Sequence, residues 1–418
     1  MKTHCGYVYR TPVYVGVLST CRAGLVCYLK GLKLMGDFVF NLSPTLVAGT
    51  DVLLSLGERV QKYGQRFMLI LDPSFKDMEI VLSIKRSLEQ KALKLFSFDG
   101  IKKSVDTETV MRTLKLAKVA HIDAVIVLGD VITCSLAKAI SSLYNETEAI
   151  YNYLEGQPIL GVPLPLIQIP TSCDNPFLFS TSLYLSDSRN RHIAQLKCKE
   201  DISSLVFFDS NVFKSLSLNS LNLTIFAGLA LAIDAYVSRK ANFFSDALLK
   251  KAISLFVHSF RVLNENLAEG TIEQIVIQAT LLNAIALSSS SPGMAMAVAE
   301  VGNGKYDLSI PQLLTIMLPS VLEDSIPSNL SKVADIVSLF IKDSDKVGIG
   351  LEDVTHKGIE ELINILLKIG LPVKFQSLDL ELEDITSMAD AVLSVDFINY
   401  IPRSMTSLDI LELLKKAY

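Results

Sequence analysis

The chain has 418 residues, of which 50% are hydrophobic and 20% are charged, and its formal net charge is −5. This length exceeds one ordinary core and suits two domains, and the composition is typical of a folded protein rather than a disordered one. The small net charge, without a dense basic cluster, argues against nucleic acid as a partner. Six cysteines without CxxC pairs or zinc-ligand spacing indicate reduced thiols in an intracellular compartment.

The N-terminal segment, residues 1–36, contains basic residues but no acidic one, a bias shared with organelle targeting peptides. We interpret it as a divergent strand and loop, with targeting as the alternative. Arg22 interrupts its apolar run, so no membrane helix is predicted there. A second apolar region, residues 272–301, is broken by polar side chains and Pro292 and predicts a buried helix pair.

From residue 37 onward, short apolar strands alternate with amphipathic helices. Strands are predicted at 38–49, 67–71, 94–98, 124–128 and 161–172, and helices at 51–63, 78–91, 107–120 and 133–143. This alternation predicts a parallel, doubly wound sheet that is covered on both faces.

A helical pattern follows a strand-rich stretch that ends near residue 213. Residues 223–237 are small and aliphatic with Asp234 as the single acid, so nearly the whole helix circumference is expected to be buried. We place a domain boundary near Ser215, between an α/β domain at 37–215 and an all-helical domain at 216–418.

The phrase AIDAYVSRKAN at residues 232–242 is similar to the signature of the iron-containing alcohol dehydrogenase family. VAGT, ILDPSF, FSFDG, VIVLGD and IPTS resemble further landmarks of that family and occur in the same order. The resemblance implies a dehydroquinate synthase-like fold. That fold has an α/β N-terminal domain with a doubly wound, mainly parallel sheet, followed by an all-α C-terminal domain.

In that family one aspartate and three histidines on the helical domain bind a divalent metal. Matched one by one to this sequence, those positions are Ala227, Leu231, Met296 and Ile310. None of the four is an acid or an imidazole, so the resemblance predicts that neither iron nor zinc is bound. The alternative of an oxygen-ligated metal held by Asp234, Glu300 and Asp307 stays open at this point.

The resemblance also assigns the cofactor contacts. Asp72 matches an acid near the adenosine ribose, Gly129 matches the first glycine of the phosphate loop, and Thr171 and Ser172 match hydroxyls of a second loop. We retain these four as vestigial candidates.

The rest of the phosphate loop differs from the family pattern. Asp130, Val131 and Ile132 replace the glycines that let backbone amides approach a pyrophosphate, and the acid opposes its charge. We therefore expect no cofactor, with NAD(P) as the alternative.

These losses predict a pseudoenzyme with a binding, scaffold or assembly role, and no catalytic residue is assigned. The alternatives are a metal-independent NAD(P)-dependent oxidoreductase acting on an alcohol or aldehyde, and an accessory subunit of an organellar complex. We expect a homodimer or another protein partner, no nucleic acid and no membrane span. The cytoplasm is preferred as the location, with a mitochondrion or another organelle as the alternative.

Overall fold

Six parallel strands form the central sheet of the N-terminal half. The computed structural model describes residues 38–200, 202–265, 271–346 and 348–418, so the predicted segment 1–36 lies outside the described residues. The strand order is β1-β8-β5-β4-β2-β3, and β6 and β7 form a separate antiparallel hairpin. The strands are β1 (Thr45–Gly49), β2 (Arg66–Leu71), β3 (Lys94–Phe98), β4 (Ala124–Gly129), β5 (Leu166–Pro170), β6 (Ser182–Ser186), β7 (Ile193–Lys197) and β8 (Ser203–Asp209).

The sheet is covered on both faces, as the predicted fold class requires. Alternate residues of β4 enter two separate cores: Val125 and Val127 face one, while Ile126 and Leu128 face the other. A strand buried on both faces needs an uninterrupted apolar run, which β4 provides. The covering helices are α1 (Leu56–Val60), α2 (Glu79–Glu89), α3 (Thr107–Ala120), α4 (Val131–Leu143) and α5 (Ile150–Leu154).

The C-terminal half is helical, which confirms the predicted fold class. Its helices are α6 (Leu218–Val237), α7 (Phe243–Glu265), α8 (Ile272–Leu287), α9 (Met294–Tyr306), α10 (Ile310–Val337), α11 (Leu351–Lys368), α12 (Leu382–Val392) and α13 (Ser407–Lys416). Residues 225–237 of α6 are all buried, as its composition predicts. The helix begins earlier than predicted because the Ser217 hydroxyl accepts a hydrogen bond from the backbone N–H of Ser220.

The apolar region 272–301 forms the predicted helix pair, α8 and α9. Within the described residues, α6 is the one helix long and apolar enough to cross a membrane, but 83% of its apolar window is buried inside the protein. Such burial is what a helix in a protein core shows. Residues 39–418 form one compact unit, and the boundary near Ser215 stays a prediction.

Candidate functional site

The four predicted cofactor contacts lie at the carboxyl ends of three neighbouring strands. Asp72 follows β2, Gly129 ends β4, and Thr171 and Ser172 follow β5. Backbone hydrogen bonds tie these ends together: the Asp72 N–H donates to Leu128 O, and the Thr171 N–H donates to Gly129 O, both at 2.9 Å. In open α/β sheets ligands bind at this edge, so the fold brings the four residues to one candidate site.

The Asp72 carboxylate accepts hydrogen bonds within its own turn. Its Oδ1 accepts hydrogen bonds from the Ser74 N–H at 2.9 Å and the Ser74 hydroxyl at 2.7 Å. The carboxylate thereby caps the short 3-10 turn Pro73–Phe75. That oxygen is already hydrogen-bonded within the turn. Capping the turn is therefore a sufficient role for Asp72, and contact with an adenosine ribose is not needed to explain it.

The loop after β4 is closed by its own side chains. Asp130 Oδ1 accepts hydrogen bonds from the Thr133 N–H and the Thr133 hydroxyl, each at 2.9 Å, and so caps α4. A Cβ atom built on Gly129 would lie 2.3 Å from the Cβ of Thr133. Thr133 therefore fills the space that a pyrophosphate would need above Gly129. Burial and the charge of Asp72 raise the pKa of Asp130 to about 6.

The turn after β5 is packed against helices of the C-terminal half. The Thr280 hydroxyl of α8 donates to Cys173 Sγ at 2.9 Å. Asn283 Nδ2 donates to the backbone oxygens of Cys173 and Gly228, each at 3.3 Å. Sheet edge and helices are therefore in direct contact at this turn.

Gly228 of α6 permits this contact, and we expect Gly228→Ala to destabilise the protein by about 1–3 kcal/mol. Its added Cβ would lie 2.5 Å from Cys173 Cβ and 2.7 Å from Phe256 Cζ. Glycine to alanine inside a helix otherwise stabilises by about 0.5–1 kcal/mol, so the sign is diagnostic. Urea unfolding measures the change. Gly350→Ala, at the N-cap of α11, is the control for an uncrowded glycine, because its Cβ meets only Asp353 Oδ2 at 3.5 Å and only the cap preference for glycine is lost; an equal loss in both variants would contradict the explanation.

Lys138 holds the backbone that follows the β5 turn. It is 1% exposed, and its ammonium donates to the backbone oxygens of Phe177 and Ser180. Burial lowers its pKa to about 8. This lysine therefore fixes the backbone at Phe177 and Ser180.

The four expected metal positions carry buried apolar side chains. Ala227, Leu231 and Met296 are 0% exposed and Ile310 is 2% exposed, and all four belong to one hydrophobic core. They come from α6, α9 and the start of α10, and none of them is an acid or an imidazole. The assignment of these four residues to the family's metal positions stays a prediction from the resemblance.

The three acids considered for an oxygen-ligated metal do not form one group. Asp234 Oδ2 accepts hydrogen bonds from the backbone N–H groups of Gly293, at 2.8 Å, and Met296, at 3.2 Å, at the start of α9. Asp307 accepts a hydrogen bond from Ser104 at 2.6 Å and pairs with Arg191. Each of these two carboxylates is thus satisfied by its own neighbours. The three acids therefore do not together form an oxygen-ligated metal site.

Glu300 is the remaining acid. It lines an inner cavity of 20 Å³ together with Ser135 and Ile310. Burial, followed by the charge of Asp174, raises the pKa of Glu300 to about 8. A cavity of this size holds about one water molecule. Sequence reasoning did not single out Asp174, although an acid in a loop where the resemblance places small residues was a usable signal.

A larger outer cleft of 280 Å³ lies beside the inner cavity. Tyr184 lines both spaces. Its ring packs against Phe177 and Phe397 with centroid separations of 5.8 and 5.6 Å, so an aromatic cluster forms part of the wall. Polar groups of the lining include Ser180, Ser182, Lys240, Ser290 and Asp396. The cleft has room for a small polar molecule.

Both halves of the chain match one enzyme family. Residues 43–210 match the family described as "Iron-containing alcohol dehydrogenase", and residues 224–418 match "Fe-containing alcohol dehydrogenase family, C-terminal". The 1,3-propanediol dehydrogenase of Citrobacter freundii is 21% identical and aligns over 88% of this chain and 96% of its own. The lactaldehyde reductase of Escherichia coli (strain K12) is 23% identical over 90% and 98% of the two chains.

Solved structures show the same fold. The crystal structure of 1,3-propanediol oxidoreductase superimposes with a TM-score of 0.81 at 20% identity, over 92% of this chain and all of its own. NADH-dependent butanol dehydrogenase A from Thermotoga maritima superimposes with a TM-score of 0.76 at 19% identity, over 92% and 99% of the two chains.

These comparisons correct the expectation that the protein has no cofactor and binds neither iron nor zinc. That expectation is wrong at the level of the family, because the matched family is iron-containing by description and one neighbour is NADH-dependent. The match points to an iron cofactor. The residues at the assigned positions do not fit the ion, since Ala227, Leu231 and Ile310 have no lone pair to donate. In the part of the chain that the structure describes, no three His, Cys, Asp or Glu side chains form a metal-binding group.

Proposed function

Because this chain belongs to the iron-containing alcohol dehydrogenase family, we propose that it is a member that binds a ligand without metal-assisted hydride transfer. The observation that carries the proposal is the buried apolar set Ala227, Leu231, Met296 and Ile310. A metal ion in such an enzyme polarises the reacting oxygen, and four buried aliphatic or thioether side chains do not position an ion for that step.

The cofactor edge supports the same proposal. Asp130 occupies the backbone N–H of Thr133 at the start of α4, where a pyrophosphate would otherwise be held. The Thr133 side chain lies over Gly129. Phosphate binding and metal chemistry belong to separate halves of the fold, so changes in both are independent arguments for a binding role.

The outer cleft is the proposed binding site. Hydroxyl groups of Ser182 and Ser290 and the charged groups of Lys240 and Asp396 line its 280 Å³. Hydroxyls and charges of both signs suit a small neutral molecule with hydroxyl or carbonyl groups. The ligand class that we infer is a short diol or hydroxyaldehyde, as in the names of the two curated relatives.

A metal-independent NAD(P)-dependent oxidoreductase is the second candidate. It is favoured by one observation: Asp72, Gly129, Thr171 and Ser172 meet at the edge where nucleotides bind in such sheets.

For partners, we propose a homodimer, with an accessory role in an organellar complex as the alternative. Val39 and Phe40 are 82% and 42% exposed and precede β1, an edge strand of the sheet. We place the protein inside the cell, since Cys134, Cys173 and Cys198 are free thiols.

Calorimetry tests the binding role. Protein loaded with ferrous iron, and the same protein treated with EDTA, are each titrated with 1,3-propanediol and lactaldehyde. We expect the same affinity in both samples, because the outer cleft does not use the metal positions. Ser182→Tyr is expected to abolish binding by filling the cleft, and Ser83→Tyr, on the surface of α2, is the control. Binding seen only with iron would contradict the proposal.

A further inference from the structure

The outer cleft contains a lysine that has no acidic partner among the described residues. Lys240 lies in the turn between α6 and α7, is exposed, and lines the cleft. No described carboxylate forms an ion pair with its ammonium, and partial removal from water alone lowers its pKa below the ordinary value. Its amine is therefore less strongly protonated than that of an ordinary lysine, and a small molecule in the cleft can reach it.

The turn that carries Lys240 is fixed to two other parts of the cleft wall. The backbone N–H of Arg239 donates to the backbone oxygen of Tyr400 at 2.8 Å. Asn242 Nδ2 donates to the backbone oxygen of Ser289 at 2.9 Å. Lys240 Nζ lies 5.1 Å from the centre of the Tyr400 ring. The fold therefore places the amine beside this tyrosine and the serine-rich segment between α8 and α9, and both line the cleft.

The serine-rich segment offers hydrogen-bond acceptors to a ligand. The Ser290 hydroxyl donates to the backbone oxygen of Ala235 at 3.3 Å, and the Ser291 hydroxyl donates to the backbone oxygen of Pro292 at 3.1 Å. Because their protons are used within the protein, the two hydroxyl oxygens keep lone pairs for a ligand hydroxyl. An amine next to such acceptors suits a molecule that carries both a carbonyl and a hydroxyl group.

Two other lysines show what is special about Lys240. Lys199 also lines the cleft, but its ammonium donates to the backbone oxygen of Leu160. Lys62 lies over an aromatic ring in a similar way, with its Nζ 4.9 Å from the centre of the Tyr63 ring, but it is not part of the cleft wall. An uncommitted amine and a place in the cleft are combined in Lys240.

We propose that the Lys240 amine holds a hydroxyaldehyde in the outer cleft covalently, as a reversible imine. This inference rests on the proposed function and adds the atom that takes the carbonyl carbon. The neutral amine attacks that carbon and a C–N bond forms. The C–O bond then breaks, and the oxygen leaves as water with the two hydrogens of the amine. The step consumes no oxidant or reductant, and lysine amines commonly react with carbonyl compounds in this way.

Reductive trapping tests the imine. Sodium cyanoborohydride converts an imine to a stable amine, which peptide mass spectrometry locates in the chain. Wild-type protein is incubated with lactaldehyde and this reagent at neutral pH, and the modified fraction of each lysine is followed with time. We expect Lys240 to be trapped at least about tenfold faster than Lys199 or Lys62, because the cleft binds the aldehyde beside the amine. Lys240→Arg, which keeps a positive charge beside Tyr400, should remove the fast reaction.

Trapping of Lys240 at the same rate as Lys62 would overturn the proposal, since the amine would then react as an ordinary surface lysine. A fast reaction that persists in Lys240→Arg would also overturn it, because another lysine would be responsible. Calorimetry with 1,3-propanediol, which has no carbonyl group, separates this result from the proposed function. Diol binding without fast trapping rejects the imine alone. Fast trapping without diol binding supports the imine and rejects the diol as a ligand.

Discussion

Iron-loaded protein supplied with NADH or NADPH and lactaldehyde is expected to turn over at least ~10⁴-fold more slowly than the E. coli relative assayed beside it. A factor of 10⁴ corresponds to about 5.4 kcal/mol of barrier, and metal polarisation of a carbonyl supplies several kcal/mol. Misplacement of the cofactor adds to the loss, because the Thr133 side chain lies where the phosphates approach Gly129.

The measurement is NADH absorbance on one preparation whose iron content is determined in parallel. The relative, loaded and assayed in the same way, is the positive control. Turnover above the stated limit would remove the proposed binding role and favour the oxidoreductase alternative. In that case Thr171→Ala and Ser172→Ala would locate the cofactor, since those hydroxyls lie at the sheet edge.

Glu300→Gln is expected to stabilise the protein by about 3–5 kcal/mol at pH 9 in EDTA, and by little at pH 4.5. Burial and Asp174 raise the pKa of Glu300 from 4.5 to about 8 in the folded chain. Between these two values the folded protein holds a proton that the unfolded chain has released. The wild type therefore loses stability as the pH rises from 4.5 to 8, and glutamine, which imitates the protonated acid, does not.

Urea unfolding at both pH values checks this expectation. Glu360→Gln, an exposed position on α11, is the control and should change the free energy of unfolding by less than about 0.5 kcal/mol. A stabilisation of equal size at pH 4.5 and pH 9 would show that titration of Glu300 is not its cause.

Local patterns predicted the elements but not all their ends. The helix expected at 133–143 begins at Val131, because Asp130 accepts the Thr133 N–H and starts the helix two residues earlier. Asp130, Val131 and Ile132 were interpreted as a loop by comparison with the family's glycines. The capping interaction was readable from the sequence, since an aspartate directly before an apolar helical run is a helix start signal.

The sequence by itself determined the fold class and the family, because apolar spacing and the phrase at 232–242 are local properties of the chain. It also showed that the residues matched to the family's metal positions, Ala227, Leu231, Met296 and Ile310, include no acid and no imidazole. Only the tertiary structure decided which polar groups meet. Asn283 contacts Cys173 across 110 residues of chain, and the charge of Asp174 reaches Glu300, which lies on a distant helix. Such contacts depend on the packing of distant elements, which no local periodicity encodes, so the burial of Asp174 and Glu300 was not found until the fold was known.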